Sequence, residues 1–211
     1  GLNTYQAKKE DETIQQQITD FKKEITALFE QKKYQDCIEV VKANSSSDQK
    51  IQEIRDEFHG KCALAHAESL ANNDQYLEAL QLAEEVNSKS EVHQEAQTKI
   101  KVWSNKLVQQ GISGYQTNGT LDKLNEVIFI MSNDNPLREQ TLQKKEELNN
   151  LHRSNEALLA SAQRAVDNQD WDQAKQKAEE LQKVGNGYPY WQEQAEVIVN
   201  QVNEAQEAVV S

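Results

Sequence analysis

The chain contains little glycine and almost no proline, with seven Gly and two Pro among 211 residues. All-β sandwiches and barrels need many tight turns, which these residues supply, so their scarcity excludes those fold classes. Long apolar runs are also missing, and no stretch reaches the roughly 18 apolar residues that indicate a membrane-spanning helix. The sequence therefore indicates a chain built mainly from helices.

Positive charge is the second deficit. Lys and Arg number 23 against 35 Asp and Glu, which gives a formal net charge of −12. A nucleic-acid surface needs clustered positive charge, so this composition argues against nucleic acid as the main partner. An acidic surface instead favours a basic protein or peptide partner through electrostatic steering.

Cysteine occurs only as Cys37 and Cys62, which is too few for a disulfide-rich scaffold. Two buried free thiols are the favoured interpretation, and one bridge between neighbouring helices is the alternative. A bridge would favour an oxidising compartment. Because residue 1 is Gly rather than Met, we expect a fragment of a longer protein. The compartment is not indicated, and an extracytoplasmic domain of an anchored bacterial protein is one expectation.

Apolar residues recur at helical spacing along most of the chain, whereas the strict alternation of a strand is missing. In the first helix, for example, the repeating residues are Ile14, Ile18, Phe21, Ile25 and Leu28. We predict helices, alternately long and short, over about 4–31, 34–43, 48–72, 75–87, 90–112, 120–132, 136–168, 171–183 and 189–209.

Four short segments share one form, in which a polar turn precedes a large apolar residue, two mostly polar residues, and a small or aliphatic residue. These segments are Lys33–Cys37, Gln75–Ala79, Thr120–Leu124 and Asp170–Ala174. In the second and fourth segments the large residue is Tyr76 or Trp171. A small residue, Ala67 or Ala162, lies on the preceding helix. The pattern predicts a repeated helix pair.

The second and fourth segments resemble the helix pair of the tetratricopeptide family. In that family the first small residue lets two helices approach closely, and a later one, here Ala79 or Ala174, lies under the first helix. The other two segments depart from the pattern, since Ile25 and Ile112 replace the small residue and Leu121 replaces the aromatic one. The repeats are also longer than the family's usual length of about 34 residues.

This resemblance implies an all-α fold. The expected architecture is a right-handed α-α superhelix of about four helix pairs with a C-terminal capping helix, forming one domain over residues 1–211. The segment Trp171–Glu193 is also similar to helical-repeat segments of cyanobacterial envelope proteins.

Motifs for catalysis are missing. The sequence has no phosphate-binding Gly-rich loop, no Gly-x-Ser-x-Gly and no His-Glu-x-x-His, so we expect neither an enzyme nor a cofactor. His59, Cys62 and His66 would share one helical face, and with Cys37 they would form a zinc-like ligand set. Because apolar residues such as Phe58 make the same helix a packing element, we favour structural roles and expect no metal site.

Two aromatic features are candidates for partner binding. Residues 111–119 hold three of the seven glycines and surround Tyr115. This stretch is predicted to be irregular, either a recognition loop or, preferably, a linker. Tyr188, Tyr190 and Trp191 lie close together, and such residues either anchor an interface or seal a core. The candidate partner-binding residues are therefore Tyr115, Tyr188, Tyr190 and Trp191.

We predict a non-catalytic protein–protein interaction scaffold, because helical solenoids offer long surfaces for partners. The alternative is a ligand-sensing or regulatory domain of a larger envelope or signalling protein. It would have a closed pocket near Tyr115 or Tyr188–Trp191. A third interpretation is a structural spacer that self-associates through the apolar stripes of its terminal helices, Ile14–Leu28 and Trp191–Val209.

Overall fold

The computed structural model of the chain describes residues 1–210, with side chains up to Ala208. Val209, the last residue of a predicted apolar stripe, has its side chain outside this described part. Nine helices and no strand occur in residues 1–210. The helices are α1 Leu2–Glu30, α2 Tyr34–Ala43, α3 Gln49–Asn72, α4 Tyr76–Glu84, α5 His93–Asn118, α6 Asp122–Ile130, α7 Arg138–Asp167, α8 Trp171–Val184 and α9 Pro189–Val210.

The prediction of an all-helical chain is confirmed. Consecutive helices pack on one another, as α2 does on α3 and α8 does on α9. The predicted helix bounds agree within a few residues except at α5, which continues to Asn118. The predicted irregular stretch at 111–119 is therefore wrong as far as Asn118. None of the helices in the described part has the length and apolar character that crossing a membrane requires.

The chain divides into two compact units. Unit 1 comprises Gly1–Ser104 and Ile130–Asn135, and unit 2 comprises Asn105–Phe129 and the described chain from Pro136 onward. The single domain over residues 1–211 stays a prediction.

Three helix hairpins reverse the chain with the same turn. Each of these turns contains one residue with a positive φ near 60°, and these residues are Lys32, Asp74 and Gln169. The next amide then donates back across the turn, as Gln75 N does to Leu70 O at 3.0 Å. This is the bonding pattern of a Schellman motif, which satisfies carbonyls at a helix end. Local hydrogen bonding therefore repeats along the chain, as the sequence pattern predicts.

The hairpins in which a small residue was predicted are packed through alanine. Ala67, Ala79, Ala162 and Ala174 are each fully buried, with 0% of their surface exposed. Alanine adds no side-chain bulk beyond Cβ, so the backbones of two helices approach closely there. The predicted burial of these four residues is confirmed.

The third hairpin uses glycine instead. The side chain of Ile112, the residue at the predicted position, is only partly buried. The close approach is made by Gly111, where an added Cβ would lie 3.0 Å from Leu124 Cα. The close contact thus lies one residue before the predicted position, and α5 continues past it with an ordinary helical bond from Gly119 N to Tyr115 O of 2.8 Å.

A disulfide joins α2 to α3 in unit 1. Cys37 and Cys62 are bonded, their Cα atoms are 6.1 Å apart, and both side chains are fully buried. The interpretation of two free thiols is therefore wrong, and the alternative of one bridge between neighbouring helices is confirmed. The two sulfur atoms come together because each lies on the buried stripe of its own helix.

Candidate partner-binding site

Unit 2 brings the four predicted partner-binding residues into one group. Five side chains form this group, which we call the aromatic cluster: Tyr115, His152, Tyr188, Tyr190 and Trp191. The end of α5 carries Tyr115, the middle of α7 carries His152, and the start of α9 with the preceding turn carries the others. Residues that are distant in sequence therefore meet because three long helices pack side by side.

The base of the aromatic cluster is buried and hydrogen-bonded. Tyr115 is 1% exposed and Trp191 is 0% exposed. Trp191 Nε1 donates to Tyr115 Oη at 3.2 Å, and Tyr115 Oη lies 3.2 Å from His152 Nδ1. Burial raises the pKa of the Tyr115 hydroxyl above its ordinary value, an effect that the Trp191 hydrogen bond partly offsets. Tyr115 is therefore a neutral phenol over the physiological pH range.

His152 connects this buried base to the surface. An indole N–H can only donate, so Tyr115 Oη accepts from Trp191 Nε1. On the other side of its ring, His152 Nε2 lies 3.4 Å from Glu156 Oε1. A chain of polar contacts consequently runs from the buried Trp191 to the exposed carboxylate of Glu156.

The outer layer of the aromatic cluster reaches the surface. Tyr188 and Tyr190 are each partly exposed. Tyr188 meets Tyr115 edge-on at a centroid distance of 6.0 Å, and Tyr190 stacks on His152 at 6.5 Å. Tyr190 also meets Trp191 edge-on at 4.8 Å. Such arrangements of aromatic rings add about 0.5–1.5 kcal/mol per pair beyond area burial, so the surface rings have defined positions.

A glycine turn supports Tyr190 from the end of α5. Gly119 has φ of 71°, and a Cβ at this position would lie 2.6 Å from two carbons of the Tyr190 ring. Both the backbone conformation and the ring contact thus require glycine. The glycine content of residues 111–119 gave a signal of this turn, although it was interpreted as an irregular stretch.

Sequence reasoning missed His152. It lies within a long polar helix and has no aromatic neighbour in sequence. The available signal was its position beside a buried stripe of α7 that includes Leu148 and Asn155, which are 1% and 2% exposed. Within the described part of the chain Asn155 Nδ2 has no hydrogen-bond partner, and this buried amide lies about one helical turn beyond His152.

The zinc-like set weighed from the sequence is not available in this structure. Cys37 and Cys62 are bonded to each other, and a disulfide offers no thiolate to a metal. Burial lowers the pKa of His59, the nearest histidine along α3. Within residues 1–210 no group of three or more His, Cys, Asp or Glu side chains is arranged to hold a metal ion.

The apolar stripes of the terminal helices are used inside their own units. Ile18, Phe21 and Ile25 are buried on α1, and α9 buries Ala195, Ile198 and Val202 in addition to Trp191. Open grooves also occur, and two of them are each lined by a pair of helices. One of about 470 Å³ is lined by α1 and α3, and one of about 400 Å³ is lined by α5 and α7.

Comparison of this chain with protein-family models, with curated proteins and with solved structures found no match. The tetratricopeptide and cyanobacterial resemblances therefore stay predictions.

Proposed function

We propose that the chain is a non-catalytic protein–protein interaction module and that the aromatic cluster is its contact surface. One observation carries this proposal. Tyr188 and Tyr190 expose part of their rings, while the buried and hydrogen-bonded pair of Tyr115 and Trp191 holds them from below. The surface rings are thus ordered before any partner arrives.

Ordered aromatic side chains suit a binding surface for a physical reason. Tyrosine buries a large area on binding. Because its side chain has few rotatable bonds, ordering it on binding costs little conformational entropy. Residues of this type dominate the binding energy of many interfaces. The prediction from sequence named all four aromatic residues, but the burial of Tyr115 and Trp191 gives them a supporting role, with Tyr188 and Tyr190 making the contact.

The proposal includes the finer architecture, a right-handed α-α superhelix of tetratricopeptide-like pairs. The repeated left-handed turn at Lys32, Asp74 and Gln169 supports it, together with the buried alanines of the two best-matching hairpins. Such pairs stack their neighbours and present extended surfaces, which fits a scaffold rather than a site for chemistry.

The ligand-sensing alternative needs an empty space beside Tyr115. In this structure the Tyr115 hydroxyl contacts Trp191 and His152, and Tyr188 packs on the Tyr115 ring. The chain's own side chains thus occupy the region where a sensed ligand would bind. This occupancy supports the interaction module over the sensor.

An affinity capture from source-cell lysate tests the proposal, with wild type, Tyr188→Ser and Val197→Ser as baits. Val197 is a matched control because it is an apolar side chain on α9 that is 50% exposed. We expect one partner to be enriched by wild type and Val197→Ser and lost by Tyr188→Ser. Circular dichroism and thermal unfolding check that all three baits are folded. Equal capture by the two variants would contradict the proposed surface, and no specific capture by wild type would contradict the function.

A further inference from the structure

Two Asn-Gly pairs occur in the sequence, Asn118–Gly119 and Asn186–Gly187. Both asparagines are exposed, and both glycines have a positive φ, 71° at Gly119 and 84° at Gly187. An asparagine side chain reacts most readily with the next backbone amide when that residue is glycine, because no Cβ obstructs the approach. The two pairs therefore share one intrinsic chemistry, and their surroundings decide whether it occurs.

The fold restrains the first pair. Gly119 N donates to Tyr115 O at 2.8 Å, which continues the hydrogen bonding of α5 past Asn118. Gly119 also lies against Tyr190, since an added Cβ would be 2.6 Å from two carbons of its ring. The Gly119 amide must leave this bond and this contact before it can turn toward the Asn118 side chain. Reaction at Asn118 thus requires local opening at the end of α5.

The second pair has no such restraint. Asn186 and Gly187 are the central residues of the turn between α8 and α9, which Tyr188 N closes by donating to Gly185 O at 2.8 Å. Gly187 is exposed, and a Cβ there would meet nothing within 4 Å. Within residues 1–210 its amide donates no hydrogen bond. This amide can therefore approach the Asn186 side chain without opening a helix.

We propose that Asn186 is a site of spontaneous modification, where the folded chain deamidates to aspartate and isoaspartate while α5 protects Asn118. A solvent base removes the proton from Gly187 N, and this nitrogen attacks Asn186 Cγ. The new C–N bond closes a five-membered succinimide ring, the Cγ–Nδ2 bond breaks, and Nδ2 takes a proton from solvent and leaves as ammonia. Water then opens the ring. Its attack at Cγ gives aspartate, and its attack at the backbone carbonyl carbon gives isoaspartate, in which the chain runs through Cβ and Cγ. The net change exchanges one ammonia for one water.

The products change the turn that carries Tyr188. Both add one negative charge, and isoaspartate also adds one bonded atom to the backbone of a turn that the Tyr188 amide closes. Tyr188 belongs to the aromatic cluster, so an effect on binding rests on the proposed function, whereas the reaction itself does not. We expect the isoaspartate form to capture the partner of wild type less well.

Peptide mapping by tandem mass spectrometry tests the inference on the whole chain. Purified protein is incubated at physiological temperature and mildly alkaline pH and is then digested at acidic pH, where succinimide formation is slow. Trypsin releases residues 107–123 and a Glu-specific protease releases residues 181–193, each with a single asparagine. Deamidation adds about 1 Da to the peptide. We expect Asn186 to react at least about tenfold faster than Asn118, because only Asn118 needs local opening.

Two controls separate the effect of the fold from that of the dipeptide. In denaturing urea the two asparagines should react at rates within about twofold of each other, because both restraints are lost. Gly187→Ala should slow the reaction at Asn186 at least about tenfold, because its Cβ obstructs the attacking amide. Thermal unfolding of this variant shows whether it is folded.

An Asn186 that reacts no faster than Asn118 in the folded protein would overturn the inference. A rate difference that persists in urea would overturn it as well, since the flanking sequence and not the fold would then set the rates. Anion exchange isolates the reacted protein by its added charge for use as a bait. If this form captures the partner as wild type does while Tyr188→Ser loses it, the modification stands and its effect on binding fails. If Tyr188→Ser also keeps the partner, the proposed contact surface fails and the modification still stands.

Discussion

The buried contacts that join helices within unit 1 and within unit 2 differ in their chemistry. In unit 1 a covalent bond between Cys37 and Cys62 joins two neighbouring helices across a sequence separation of 25 residues. In unit 2 a hydrogen bond from Trp191 to Tyr115 joins helices across 76 residues. Both the disulfide and the hydrogen bond are buried. Each unit also contains a hairpin that packs through small residues.

The difference shows two solutions to one problem. Alanine contributes little apolar area where two helices approach closely, and in each unit a contact of larger free energy also joins helices. A disulfide acts mainly by restricting the unfolded chain, and its effect grows with the loop that it closes. An aromatic cluster acts in the folded state through buried area and ring contacts, so it can span any distance in sequence. The disulfide and the aromatic cluster should therefore respond to different perturbations.

The largest effect is expected from removing the buried ring in unit 2. Trp191→Ala should lower the free energy of unfolding by about 3–5 kcal/mol, the range for large aromatic side chains removed from cores. Tyr115 would also lose its donor, and the surface rings would lose their support. Urea unfolding followed by circular dichroism measures the change. Trp171→Ala is the control, because Trp171 is only partly buried and should cost less than half as much. An equal cost at both sites would show that the cluster has no special weight.

Breaking the disulfide of unit 1 should have the next largest effect on stability. For a separation of 25 residues, the chain-entropy relation gives about 3.5 kcal/mol of stabilisation from the Cys37–Cys62 bond. A thiol reductant should lower the urea midpoint of wild type and leave Cys37→Ala/Cys62→Ala unchanged. Thiol titration of unfolded protein without reductant should detect no free sulfhydryl. Two free sulfhydryls, together with a urea midpoint that the reductant does not change, would show that no covalent bond joins α2 to α3.

The turns of the hairpins sharpen the comparison at the level of single residues. Gly119→Ala should cost about 2 kcal/mol, because alanine is strained at φ of 71° and its Cβ would overlap the Tyr190 ring. Gln169→Gly places glycine at the equivalent left-handed turn and should gain up to about 0.5 kcal/mol. Thermal unfolding measures both. A gain from Gly119→Ala would mean that the turn before α6 has another conformation.

The helices themselves could be predicted because each property that decides them is local. Apolar spacing, turn residues and small residues at hairpin contacts are read within one or two helical turns, and they placed the helices and the burial of Ala67 and Ala162. The irregular stretch around Tyr115 was predicted wrongly because glycine is a weak helix former when considered alone. At Gly111 the close packing against Leu124 outweighs that preference. Such a contact cannot be inferred from the sequence.

The candidate site was predicted in part for the same reason. Tyr188, Tyr190 and Trp191 are adjacent in sequence, so their grouping was evident, whereas the arrival of His152 depends on how three long helices pack. The cysteine pair shows the same limit. Spacing placed both sulfurs on buried stripes, but only the distance between α2 and α3 decides whether they bond.

Two glycines of α5 test how packing overrides helix preference. Gly111→Ala should cost about 1 kcal/mol, because a Cβ there would lie 3.0 Å from the backbone of Leu124, which outweighs the gain in helix propensity. Gly114 has nothing within 4 Å of an added Cβ, so Gly114→Ala should gain about 0.5–1 kcal/mol. Thermal unfolding of the two variants should move in opposite directions. A neutral Gly114→Ala would favour the irregular stretch that the sequence first indicated.

The smallest expected effect is a pH dependence in unit 1. Burial lowers the pKa of His59 below its ordinary value of 6.5, Lys42 lowers it further, and Glu85 and Asp56 partly offset the shift. Between the folded and unfolded pKa values the unfolded chain binds more protons, so this histidine makes stability fall as pH falls below about 6.5. His59→Gln should flatten that slope in urea unfolding measured from pH 7.5 to 5, and Lys42→Gln should reduce it slightly. A slope that survives His59→Gln would assign the pH response to other groups. A slope that steepens with Lys42→Gln would show that this lysine does not oppose protonation of His59.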